Sequence, residues 1–285
     1  MRHGIKDALV LFLFLVISLS VVYMALAVTT PEGPGTFTEF NASRRTAVGP
    51  YLRAVYAGNV TGITITATTM TQAWAGFYGN ITGTITLDDA NNNTMYDWAV
   101  ASPEGEIYAS EATAIDWTTG NVRCWNYSRG LNATFLSFTE YQDYTGGDAV
   151  SDPVYTAGGM VINITDYDSV NRTFKVNQTH KSFYVGGWLI DGSTAQKADP
   201  ASPSSTGSGC PAAFIYDTTE AESLYFQEVL LYSDVQSRPI FTALIEPTTP
   251  EGFNNANWDF EMLVAENGHK GDIATTNYYF YVELS

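Results

Sequence analysis

Two carboxylates stand two residues apart in "WDFEML", at Asp259 and Glu261. On a strand, residues i and i+2 share a face. A pair of carboxyls held roughly 5–9 Å apart is the machinery of glycoside hydrolysis. The same spacing arises in any half-buried strand, where Trp258, Phe260 and Met262 would face the core and the acids would face water. The alternation favours that structural reading. A second grouping lies in "DDANNNTMYD", where Asp89, Asn91, Asn93 and Asp97 sit at the odd spacing of a calcium loop. Thr94 stands where that loop needs glycine, and Val100 where it needs its last acidic ligand. A hairpin turn accounts for the same residues, and a structural calcium is the one ion the spacing would admit. Asp166 and Asp168 form a weaker pair of the same kind.

Nucleophilic chemistry finds little support. His180 and His269 are the histidines beyond the N-terminal segment, and neither has a serine or cysteine partner suggested by spacing. The chain has no G-x-S-x-G, no H-E-x-x-H and no phosphate loop, so no cofactor is expected beyond that calcium. The six Trp residues, at 74, 98, 117, 125, 188 and 258, could line a sugar platform, although core and rim packing is the commoner use of such rings. The 285-residue chain carries 30 acidic against 13 basic residues, a net charge of -17. Such a surface repels phosphate backbones and excludes nucleic acid as a partner.

Nine Asn-x-Ser/Thr acceptors occur, at Asn41, Asn59, Asn80, Asn92, Asn126, Asn132, Asn163, Asn171 and Asn177. Chance would supply about three, and none falls after residue 180, so the cluster reads as N-glycosylation on an exported chain. Cys124 and Cys210 are the two cysteines, and an oxidising location predicts a disulfide between them. Closing so long a loop is worth about 4.5 kcal/mol in the chain-entropy picture.

The elements that must hold these residues follow from the hydropathy pattern. Residues 8–28 carry no charge, and 21 residues of helix span roughly 32 Å, enough to cross a bilayer. Arg2 and Lys6 before this run keep the N-terminus inside and send the remainder out. Three readings stay open: a signal peptide cleaved after Ala25-Leu26-Ala27, an uncleaved signal anchor, and a pilin-type leader cut after Gly4. All three place residues 29–285 at the cell surface, and the segment is assigned as a single-pass anchor over 1–28. A Pro- and Gly-bearing stalk is expected over 29–57 and a β-rich ectodomain over 58–285.

Within the ectodomain the pattern has period two. "GNVTGITIT" from Gly58 and "GNITGTITL" from Gly79 each predict a strand edge with an exposed acceptor. Further strands are expected in "TMYDWAV", "EIYASEA", "GGMVINIT", "RTFKVNQT", "SFYVGGWLI", "AAFIYD", "SLYFQEVLLYS", "PIFTALIE", "WDFEMLVAE" and "NYYFYVELS". In the last of these, Tyr278, Phe280, Val282 and Leu284 form the core face. The expected fold is all-β, an antiparallel sandwich of jelly-roll type.

The stretches "WAGFYGNITGTITLDD" (74–89), "EVLLYSD" (228–234) and "NWDFEMLVAENG…TTNYYFYVELS" (257–285) resemble a group of archaeal exported surface proteins. That resemblance spans most of residues 58–285. It implies a hydrophobic N-terminal segment followed by a β-rich ectodomain, and it brings no catalytic residues. The expected function is a structural, adhesive or filament-forming role, through self-assembly or surface glycans. The alternatives are a lectin-like module and a jelly-roll glycosidase. Clustered exposed aromatics would favour the first alternative, and a carboxylate pair of raised pKa in a cleft the second.

Overall fold

The computed structural model of the protein describes residues 29–125, 170–192, 210–265 and 277–285, apart from 47, 48, 51, 55, 69, 72, 73, 101, 119, 176, 177 and 237. The expected membrane segment, Asp166, Asp168, His269, the strand expected in "GGMVINIT" and the acceptors Asn126, Asn132, Asn163 and Asn177 lie outside these residues. Among the described residues no helix is long and apolar enough to cross a membrane.

The fold is all-β and its ladders are antiparallel. In chain order the strands are β1 (Trp74–Gly79), β2 (Thr84–Asp88), β3 (Thr94–Ala99), β4 (Gly105–Ser110), β5 (Val122–Cys124), β6 (Phe183–Val185), β7 (Trp188–Ile190), β8 (Ala212–Tyr216), β9 (Glu222–Ser233), β10 (Arg238–Leu244), β11 (Phe260–Ala265) and β12 (Tyr279–Leu284). A single helical turn, α1 (Val170–Thr173), precedes β6.

A six-stranded sheet is the frame, in the order β12-β4-β10-β9-β5 with β8 also on β9. The twelve residues of β9 give one edge long enough for two short strands. β8 occupies its first half, and β5 pairs Val122–Cys124 with Leu231–Ser233 at its end. The disulfide Cys124–Cys210 joins these two neighbours, with Cα atoms 5.0 Å apart. The expected pairing is therefore present, and it fastens the residues just before β8 to the sheet.

Both faces of this sheet are covered. On one, Leu230, Phe241, Ala243 and Ala109 meet Met262 and Val264 of β11, which pairs with β1 in a separate ladder. On the other, Tyr108, Val229, Leu231 and Ile240 meet Phe183, Val185 and Ile190 of the β6–β7 hairpin. The expected core face of the last strand is correct: Phe280, Val282 and Leu284 pack into the first cluster, with Tyr278 beside them. The opposite face is covered too, by Tyr281 against Trp117 and by the buried Glu283.

Three expected strands differ. "SFYVGGWLI" is two strands, because Gly186 and Gly187 take φ of +52° and +80° and close a two-residue turn. In "RTFKVNQT", residues 170–173 make the helical turn and Lys175 alone bridges to Ala212. "TGITITATT" has the right alternation but no strand partner among the described residues: residues 60–66 are solvent-exposed and no strand forms there. Alternation proposes a face, but only a neighbouring backbone makes a ladder. The start of the expected stalk is itself stitched down. Glu32 exchanges backbone hydrogen bonds with Val282, and the Phe37 ring meets Phe280 at 5.0 Å.

Candidate functional site

The carboxylate pair is best tested where β11 begins. Asp259 is buried, its Oδ2 accepts the Ile81 N–H at 2.8 Å, and its carbonyl accepts the Glu246 N–H at 2.7 Å. It therefore ties the exit of β1 to the entry of β11. Glu261 is 3% exposed, and its Oε1 accepts the Phe253 N–H at 3.0 Å. The loop 250–258 passes so close that a Cβ on Gly252 would lie 2.1 Å from that oxygen. Burial raises the Glu261 pKa from 4.5 to about 7, against the pull of the Phe253 N–H and with a further push from Asp217. The two acids thus hold different backbone N–H groups, and each fastens a loop. The expectation that they face water is corrected: both are inside, because the loop closes over the face that a free strand would have left wet.

That loop carries the aromatic cluster. The Trp258 ring lies 4.8 Å from Tyr78 and 5.8 Å from Phe40, and Phe253 lies 5.1 Å from Tyr78. Trp258 Nε1 donates to Asn254 Oδ1 at 2.9 Å, and Asn41 Nδ2 donates to Tyr78 Oη at 3.2 Å. The remaining tryptophans are dispersed. Trp74 meets Phe174 and Phe241, Trp117 meets Tyr108 and Tyr281, Trp125 is buried, and Trp188 packs on the second core cluster. A single platform of tryptophans is not what brings these rings to their places.

Trp98 belongs to the second exposed feature, the β2–β3 hairpin. Ile85 stands opposite Trp98 and Leu87 opposite Tyr96, so these four side chains share one face of a two-stranded ribbon. Leu87, Tyr96 and Trp98 are each at least half exposed, and the Tyr96 and Trp98 rings meet at 5.0 Å. Thr84, Thr86, Met95 and Asp97 take the other face. Hairpins of two strands alone are marginal in water and gain stability from something laid against them.

The turn of this hairpin holds the expected calcium residues. Asp89 Oδ1 accepts the N–H groups of Asn91 and Asn93 at 2.8 and 2.9 Å, and its Oδ2 accepts Asn93 Nδ2 at 2.8 Å. Asn93 above all holds the Asp89 pKa below its usual range. Asn92 takes φ +63°, a value asparagine tolerates at such a turn. Inward-pointing N–H donors serve a carboxylate, whereas calcium would ask for inward-pointing carbonyls. Asp97 sits on β3 opposite Thr86. Among the described residues no group of three or more His, Cys, Asp or Glu could hold a metal.

His180 is fully employed. Its Nε2 accepts the Cys210 N–H at 3.2 Å while Nδ1 lies 2.7 Å from the Lys181 carbonyl, which fixes the neutral tautomer with the proton on Nδ1. Burial pushes its pKa down in agreement. It braces the disulfide and has no free nitrogen for catalysis. The described acceptors Asn41, Asn59, Asn80 and Asn92 are all exposed, as glycosylation requires. Asn171 has its backbone in α1.

Sequence reasoning overlooked a set of buried acids. Glu106 and Glu283 face each other across β4 and β12, and Tyr108 Oη donates to Glu283 Oε2 at 3.0 Å. Burial first, and the facing Glu283 second, push the Glu106 pKa well up, and burial also raises Glu283. Glu228 lies inside on β9 against β11, accepts the Leu263 N–H at 2.8 Å and leaves Oε1 without a partner among the described residues; burial drives its pKa well up. A carboxyl in "GEIY" or "QEVL" carries no local sign of this, since the covering layer comes from distant segments. No family model, curated protein or solved structure matches the chain.

Proposed function

We propose that the chain is an exported, membrane-anchored and N-glycosylated surface protein with a structural role, and that its copies associate through the β2–β3 hairpin. In this reading residues 8–28 anchor a β-sandwich ectodomain, and the sequon asparagines carry glycans. The observation that carries it is the uncharged apolar face of Ile85, Leu87, Tyr96 and Trp98, on which Ile85 is half-buried and the other three side chains are at least half exposed. A second copy brings the same face, which gives a self-complementary two-fold contact. The uncharged face also lets copies of a chain with net charge -17 approach without facing their acids.

The hairpin has a defined place relative to Thr29. Thr29, the first residue after the apolar run, donates to the Leu284 carbonyl at 3.0 Å, and Gly83 at the base of β2 lies against the Leu284 side chain. Hairpin base and Thr29 thus lie at one corner of the sheet, and an anchor over residues 8–28 would set hairpin contacts between neighbours on the same membrane. An acid–base catalytic role draws no support from Asp259 and Glu261, each of which has one oxygen engaged with a separate backbone N–H group.

Analytical ultracentrifugation of the full chain in detergent tests the reading. Wild type is expected to associate, and a Tyr96→Ser, Trp98→Ser variant, altered at exposed positions that leave the core intact, is expected to sediment as a monomer. A wild-type chain that stays monomeric at high concentration refutes it.

A further inference from the structure

The aromatic cluster at the edge of the β1–β11 ladder is also bare. Phe40 and Phe253 remain 62% and 49% exposed although their rings pack with Tyr78 and Trp258. Contiguous exposed apolar surface of this kind marks a place where something binds. The glycan acceptor Asn41 stands within the cluster. Its Nδ2 donates to Tyr78 Oη at 3.2 Å, and Asn41-Ala42-Ser43 is an acceptor sequence with Ser43 exposed.

We infer that an N-glycan on Asn41 lies over the Phe40–Tyr78–Phe253–Trp258 cluster and is its cover. The amide nitrogen of asparagine carries two hydrogens, so one can stay on Tyr78 while the other is replaced. The new bond joins Nδ2 to the anomeric carbon of the first sugar. The bond broken is that between this carbon and the diphosphate of a lipid-linked donor, which departs as the lipid diphosphate while Nδ2 gives up a proton. Sugar rings present an apolar C–H face, and the π-face of an aromatic ring is the electron-rich surface that receives it. Asn254, Asn255 and Asn257, all exposed, lie on the same loop and give the cluster a polar rim. A sugar attached at Asn41 meets the cluster at the high effective concentration of a tethered group, which an unattached glycan lacks. The inference rests on the glycosylated exterior proposed above, and adds where one glycan lies and what it shields.

Hydroxyl-radical footprinting of the full chain made in a glycosylating host, read by mass spectrometry, provides the test. Wild type is compared with Ser43→Ala, which destroys the acceptor but keeps Asn41 and its bond to Tyr78, and with Ser43→Thr, which keeps the acceptor. The expected result is an occupied Asn41 in wild type and Ser43→Thr, with oxidation of Phe40 and Phe253 rising severalfold in Ser43→Ala. Trp98, away on the hairpin, should not change. Equal oxidation with Asn41 occupied overturns the inference. So does a bare Asn41 beside occupied Asn59, Asn80 or Asn92, an outcome that leaves the glycosylated exterior standing. Bare asparagine at every acceptor overturns both, whereas a failure of self-association alone, read by sedimentation, touches only the hairpin.

Discussion

Replacing Glu261 with Gln should make the stability of the protein less sensitive to pH, with the gain appearing on the alkaline side. The folded-state pKa is raised from 4.5 to about 7 by burial under the loop 250–258. Below pH 4.5 the carboxyl is protonated both folded and unfolded, and its burial carries no ionisation cost. Between pH 4.5 and 7 the unfolded chain releases the proton and the folded chain keeps it, so stability falls as pH rises. Above pH 7 the loss is complete and constant. At 1.36 kcal/mol per pKa unit the ceiling is about 3 kcal/mol. Although the side chain is 3% exposed, its carboxyl lies beneath a single loop with mostly exposed residues, so solvent screening brings the expected figure to about 1–2 kcal/mol. Gln keeps an oxygen for the Phe253 N–H and fits the same space beside Gly252. Urea denaturation of the oxidised protein at pH 5 and pH 8 reads the effect. The stability of Glu261→Gln relative to wild type should improve by about 1–2 kcal/mol between the two. The other buried acids titrate identically in both proteins and cancel. A difference between variant and wild type that does not move with pH would show that Glu261 has an ordinary pKa, and the argument would fail.

Glu106→Gln should likewise stabilise the protein at pH 8 and lose its advantage in mild acid, because the raised Glu106 pKa makes the wild type weaken as pH climbs; a thermal midpoint unchanged at pH 8 counts against the buried Glu106–Glu283 pair. Replacing both Cys124 and Cys210 with Ala should lower unfolding free energy by about 4–5 kcal/mol, measured in urea against the oxidised wild type. Deleting residues 278–285 removes Phe280, Val282 and Leu284 from the core and the whole β12–β4 ladder. At about 1.5–3 kcal/mol for each fully buried side chain, and less for these half-buried ones, the loss of contacts alone approaches the net stability of a domain. Cooperative melting should disappear, and a truncated chain melting within a few degrees of full length would show the strand to be dispensable.

What the sequence determined by itself is local and periodic. The alternation in "TITLD", "TMYDWA" and "YFYVEL" specified strands and their faces, because side chains on a strand alternate whatever the partner. Two cysteines in an otherwise cysteine-free chain named their own partner. Gly186-Gly187 was legible as a hairpin turn and was overlooked, since flanking apolar residues made the stretch look like a single strand. Tertiary structure decided everything that depends on which distant segment arrives as a neighbour. Ile63 and Ile65 have the pattern of a strand and stay in water for want of an adjoining backbone, while the closely similar stretch from Thr84 finds β3 and becomes one. Asp259 and Glu261 look like a wet face until the loop 250–258 folds over them, and Glu106 meets Glu283 only because residues 177 apart are brought side by side. Period two assigns a residue to a face. The dielectric on that face, and with it the charge the residue carries, is set by the layer that covers it.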